Sequence, residues 1–170
     1  MEGFKVPTEH IEKFDEVIEK QIHLHEILKS LLEKKRDYIQ NRDIEKLSDL
    51  VLEEEKVLFD IGESEKKREI LLEELKNSLN IKRNIKAIEL CEKLPQPYSL
   101  NLMMKFVKLM ELINDIAVLN LGIKSMLEFE NNYIELTLRL LSGNLKRETF
   151  YNSRGKHKEE ASSSFLDGRV

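Results

Sequence analysis

The sequence predicts an all-α fold, an elongated antiparallel three-helix bundle or coiled coil with one short extra helix and a flexible C-terminal tail. Three observations predict it. Apolar residues recur three and four positions apart along most of the chain, the period of a helix with one buried face. In 170 residues there are only 6 glycines and 3 prolines, too few to punctuate a succession of strands and tight turns. Charged residues make up 35% and apolar ones 41%, with Lys, Glu, Leu and Ile prominent and Trp absent, which is the composition of long amphipathic helices. That length and apolar share suit one domain with a real but thin core.

The first helix begins near Thr8, which can cap it after Pro7, and carries Ile11, Phe14, Ile18, Leu24, Leu28, Leu31, Leu32, Tyr38 and Ile39 at helical spacing. It stops at Gln40-Asn41-Arg42, and Asp43 caps the next helix. A break this short makes the two helices antiparallel neighbours. The second helix runs from about Ile44 to Leu79 on a stripe of Ile44, Leu47, Leu50, Val51, Leu58, Ile61, Leu72, Leu75 and Leu79. Its middle is unusual. Glu54, Glu65 and Arg68 fall on or beside the inner face, and Gly62 sits where it costs about 1 kcal/mol relative to Ala. Glu65 and Arg68 can pair at i,i+3, either as a register-setting polar layer or as a contact for a partner.

Asn80 to Lys93 holds one short helix carrying Ile85, Ile88 and Leu90 or Cys91. Leu94-Pro95-Gln96-Pro97 is the clearest loop, because each proline disfavours helix at and before itself. Ser99 can then cap the last long helix, which runs to about Ser142, where Gly143-Asn144 supplies a stop. Beyond it the helical period fades into a Ser-rich segment with isolated aromatics. The chain therefore divides into a helical domain, 1–144, and a flexible tail, 145–170.

Leu102 to Phe129 is the most unusual stretch, holding four of the chain's 5 methionines. A helix packed on one side needs roughly three apolar positions in seven; here well over half are apolar. One stripe runs Phe106, Leu109, Ile113, Ile116, Asn120, Leu127, with Met103, Val107, Met110, Ala117, Leu121 on one flank and Leu112, Leu119, Ile123, Met126 on the other. Either the helix is buried on nearly all sides, or one flank is kept for a partner. Methionine suits the second role, because its flexible thioether re-packs around a guest.

The residues argue against several function classes. A net charge of −4 with mixed signs, and no basic block interleaved with aromatics, does not describe a nucleic-acid surface. No uninterrupted apolar run approaches membrane-spanning length, so no membrane insertion is expected. The lone Cys91 excludes an internal disulfide and fits a reducing cytoplasm, and the N-terminus lacks the regions of a signal peptide. His23 and His25 project about 200° apart on a helix and cannot share one metal. No Glu-x-x-His pair, GxxxxGK[ST], GxGxxG or GxSxG occurs. Neither a catalytic site nor a metal or cofactor is expected. His25, beside the inner stripe, reads as a hydrogen-bonded interfacial histidine.

The chain resembles the FlgN-type flagellar export chaperones along nearly its whole length. The segment QIHLHEILKSLLEKKRDYIQNRDIEKLSDLVLEEEKVL is similar to the family's apolar hairpin with a polar-acidic turn and a Glu in the first helix, here Glu26. Glu65 and Arg68 match a Glu-x-x-Arg spacing in the long second helix. Asn120 stands in place of the family's first Asn in the last helix, whereas Ile123 stands where many members have a second. The tail YNSRGKHKEEASSSFLDGRV is similar to a Tyr-x-x-x-Gly-Lys and Ser-rich ending.

The resemblance implies a cytoplasmic, non-catalytic chaperone. It would hold the C-terminal amphipathic helix of hook-associated proteins unassembled and present them to the flagellar export gate. It also implies a use for the apolar flank as a groove for a helix, with Met103, Val107, Met110, Ala117 and Leu121 as client contacts. Phe150, Tyr151, Phe165 and Leu166 are candidates for docking of the tail to gate or client. The alternative for the flank is packing on the short Ile85–Cys91 helix or on the first helix. A monomer or weak homodimer is expected. The rival functions are a self-associating coiled-coil scaffold and an export chaperone for another flagellar client.

Overall fold

Helix α1 spans Thr8–Gln40 and α2 spans Ile44–Ser78, joined by the short turn that the polar run at 40–43 predicts. Asp43 caps α2, its side chain accepting from the Lys46 backbone N–H at 3.3 Å. The turn closes with the paired bonds of a Schellman motif: Asp43 N–H donates to the Tyr38 carbonyl at 2.9 Å and Arg42 N–H to that of Ile39 at 3.1 Å. Arg42 takes the left-handed conformation this needs, at φ 55°. Helix α2 ends the same way, with Asn80 at φ 53° and Ile81 N–H donating to the Lys76 carbonyl. The short α3, Ala87–Glu92, and the long α4, Tyr98–Leu141, complete the order. The computed structural model describes residues 8–81 and 85–142, and among these every regular element is helical. The tail at 145–170, with Phe150, Tyr151, Phe165 and Leu166, lies outside the described residues.

Helices α1 and α2 pack as an antiparallel hairpin. Gln21 Nε2 donates to Glu65 at 2.7 Å, and Lys35 Nζ meets Glu54 at 2.7 Å, so positions ascending α1 meet positions descending α2. Helix α4 runs parallel to α1, since its Lys105, Lys108 and Asp115 pair in order with Asp15, Glu26 and Lys29. Up, down and up is the topology that short connections dictate.

The core gathers Ile11, Phe14, Ile18 and Ile22 of α1, Leu71 and Leu75 of α2, Leu90 and Cys91 of α3, and Leu102, Leu109 and Leu112 of α4. Phe14 and Phe106 place their ring centroids 6.2 Å apart in a tilted pair. The fully buried Cys91 has its thiol pushed up to about 11 by desolvation, which keeps it protonated and inert. Packing divides the chain into two compact units, Met1–Ser125 and Met126–Val170. The described part of the second, 126–142, has no buried side chain.

Some details depart from the sequence pattern. Helix α4 begins at Tyr98, so Ser99 lies inside its first turn and is buried instead of standing as the cap. Ile44 and Leu58, on the expected inner stripe of α2, are exposed. Ile44 sits at the turn end of the hairpin, in the first turn of α2, just past the point where α1 ends at Gln40.

Candidate interaction surface

Helix α4 carries two apolar seams on opposite sides. The inner one is Leu102, Leu109, Leu112, Ile116 and Ile123, all buried, at intervals of seven, three, four and seven. It takes members of two of the stripes read from the sequence, the central one and the flank through Leu112 and Ile123. The outer seam runs Leu100, Met104, Val107, Glu111, Asn114, Val118, Leu121 at alternating intervals of four and three, and every one of these residues is exposed. Nine residues of helix amount to about 900°, a half-turn past two full revolutions. Leu100 and Leu109, Val107 and Ile116, Leu109 and Val118, and Leu112 and Leu121 are each nine apart. The outer seam therefore points directly away from the core.

Charge pairs to α1 flank the buried seam and are consistent with this rotation. Lys105 Nζ lies 2.9 Å from Asp15 and 2.6 Å from Glu19. Burial works against the Lys105 charge, and the hydrogen bonds to Glu19 and Asp15 outweigh it, so the ammonium is held above its usual range. The same Lys105 contact lowers the Glu19 carboxyl. Lys108 pairs with Glu26 at 2.6 Å and Lys29 with Asp115 at 2.6 Å. With the hydrophobic seam on one side and these pairs beside it, α4 cannot roll without breaking both.

The five residues expected to meet a client fall in two groups. Val107, Met110, Ala117 and Leu121 are exposed, whereas Met103 is half-buried and packs against the core. Neither α3 nor α1 covers the exposed four. Leu100, Met104, Val107, Met110, Val118 and Leu121 are between 56% and 67% exposed. Sequence reading passed over Leu100, Met104 and Val118. The signal for them was the second heptad itself, which starts at Leu100 and is in phase with Val107 and Leu121. A smaller exposed pair, Leu52 and Phe59, lies in a shallow open depression on α2 beside Glu55, Lys56 and Asp60.

Glu65, Arg68 and His25 inside the hairpin are engaged. Glu65 accepts from Gln21 of α1 and from Arg68, whose Nε lies 3.0 Å away. The Arg68 guanidinium, with help from Gln21, holds the Glu65 carboxyl below the usual carboxylate range against the opposing effect of burial. His25 Nδ1 lies 2.7 Å from the Gln21 carbonyl; a carbonyl only accepts, so Nδ1 carries the proton. This half-buried histidine is hydrogen-bonded as the sequence led one to expect, to the backbone of its own helix. Among the described residues no group of three His, Cys, Asp or Glu side chains could hold a metal ion, and no helix is long and apolar enough to cross a membrane.

An all-helical bundle with an apolar seam turned outward has the form of a binding protein. The FlgN protein family model matches residues 1–159. The chain belongs to the FlgN family. It is thus a flagellar chaperone of the FlgN type and not an enzyme. No curated protein and no solved structure matches it. In this FlgN-family chain Glu26 pairs with Lys108 of α4, and Glu65, with Arg68 beside it, accepts from Gln21 across the hairpin. Asn120 is exposed and Ile123 belongs to the inner seam.

Proposed function

We propose that this chain binds the C-terminal amphipathic helix of flagellar hook-associated proteins on the outer seam of α4. In that role it keeps them unassembled in the bacterial cytoplasm and delivers them to the export gate. The observation that carries the reading is the outer heptad from Leu100 to Leu121, exposed throughout and directed away from the core, with ion pairs to α1 beside the buried seam. A helix lying in such a seam is held by anchors at i, i+3, i+4 and i+7. Six apolar side chains, each still more than half exposed, contribute roughly 5–12 kcal/mol gross on burial. A matching client helix adds a comparable amount. Association and ordering of the client segment remove about 4–15 kcal/mol; the midpoints of these ranges leave about 7–8 kcal/mol, an affinity in the micromolar range.

Size-exclusion chromatography with light scattering tests this, on the chain alone and mixed with C-terminal segments of hook-associated proteins. A monomer that forms a one-to-one complex is expected. The double variant Met110→Glu, Leu121→Glu should lose the complex while keeping its helical content and melting temperature, because both side chains are exposed. A stable dimer that ignores every segment would instead favour a scaffold. Binding only to segments of filament or cap proteins would identify a different flagellar client.

A further inference from the structure

The outer seam of α4 is apolar except at its centre, where Glu111 and Asn114 occupy successive heptad positions. Other charges border the seam, but they are spent: Lys108 pairs with Glu26 and Asp115 with Lys29, each at 2.6 Å. Glu111 makes no hydrogen bond or ion pair among the described residues. An apolar side chain laid over it would strip water from a carboxylate and return nothing, which is costly. A second copy of this chain fares worse. Leu100 and Leu121 stand eleven and ten positions from Glu111, so the carboxylate is the midpoint of the seam. Two copies overlapping fully, parallel in register or antiparallel, would set Glu111 against Glu111, and like charges juxtaposed in an interface cost several kcal/mol.

We propose that Glu111, with Asn114 one heptad step away, is the specificity element of this surface. Its partner is an amphipathic helix that carries a Lys or Arg at the middle of its apolar stripe. The two polar positions then act as a buried polar layer does in a coiled coil, fixing register and excluding self-pairing at some expense in affinity. The inference rests on the outer seam being the client site, and the experiment separates the two.

Binding of hook-associated C-terminal segments is measured by fluorescence anisotropy for the wild type, Glu111→Gln, Glu111→Lys and the Met110→Glu, Leu121→Glu variant. Glu111 is exposed, so its variants should melt as the wild type does. Glu111→Gln should weaken binding about three- to fivefold and lose the salt dependence of the wild type. Glu111→Lys should weaken it about tenfold or more. Loss of binding in the double variant together with wild-type affinity in Glu111→Lys would overturn this inference alone. Full binding by the double variant, or no binding of any segment to the wild type, would remove the client surface and this inference with it. A stable wild-type dimer lost on the double substitution would also overturn it.

Discussion

Glu65 shows how one side chain can hold the register of two helices. It accepts from Gln21 across the hairpin and from Arg68 one turn away, and the neighbouring Gln21 Oε1 and Ser64 Oγ are buried without a protein partner. A polar layer left partly unsatisfied costs stability and specifies alignment, because any slip leaves more groups unpaired. Its carboxyl is depressed chiefly by the Arg68 hydrogen bonds. A group with a depressed folded pKa stabilises the fold above its unfolded value, roughly 4.3, and loses that contribution as pH falls through the folded value. Melting temperatures measured from pH 6 to pH 3 should therefore converge for wild type and Glu65→Gln, the wild type falling further. Parallel curves would show that the ionised layer adds nothing. The Glu65–Arg68 half of this layer is visible in sequence as an i,i+3 pair. Gln21 is not, because its partner lies 44 residues away and nothing local marks a glutamine for burial.

At the scale of the element, α4 is where sequence and structure divide most clearly. Its surplus of apolar residues is evident from composition, and that surplus implies a second sticky face. Which of three adjacent stripes turns inward is decided by neighbours: α3 fills one end of the core with Leu90 and Cys91, and Asp15, Glu19 and Glu26 pair with Lys105 and Lys108. The core consequently centres between the expected stripe and the flank through Leu112 and Ile123, leaving Leu100, Met104 and Val118 out, while Met103 on the opposite flank is still half-buried against the core. In α2 the expectation about Gly62 can be measured. The residue is helical and exposed, and a Cβ added there meets nothing within 4 Å. Gly62→Ala should raise stability by about 0.5–1 kcal/mol in urea unfolding, through lower unfolded-chain entropy and better helix propensity. A loss of stability would mean that α2 requires a flexible point at this position.

At the scale of the whole molecule, the buried hydrophobic residues described all lie between Ile11 and Ile123. Deleting residues 146–170 should therefore leave the thermal unfolding midpoint nearly unchanged by circular dichroism, and a steep fall would show that the tail contributes to the core. The sequence by itself determined the helices, their order, the antiparallel hairpin and the excess of apolar surface. Each follows from periodicity, caps and prolines acting within a few residues, and the family resemblance rests on the same linear pattern. Only the tertiary structure decided the rotation of α4, the parallel pairing of its lysines with the acids of α1, and thus the seven residues that form the outward seam. Those depend on contacts between side chains roughly 45 to 90 positions apart. A helix with apolar residues on most of its circumference has no preferred inner face until its neighbours supply one.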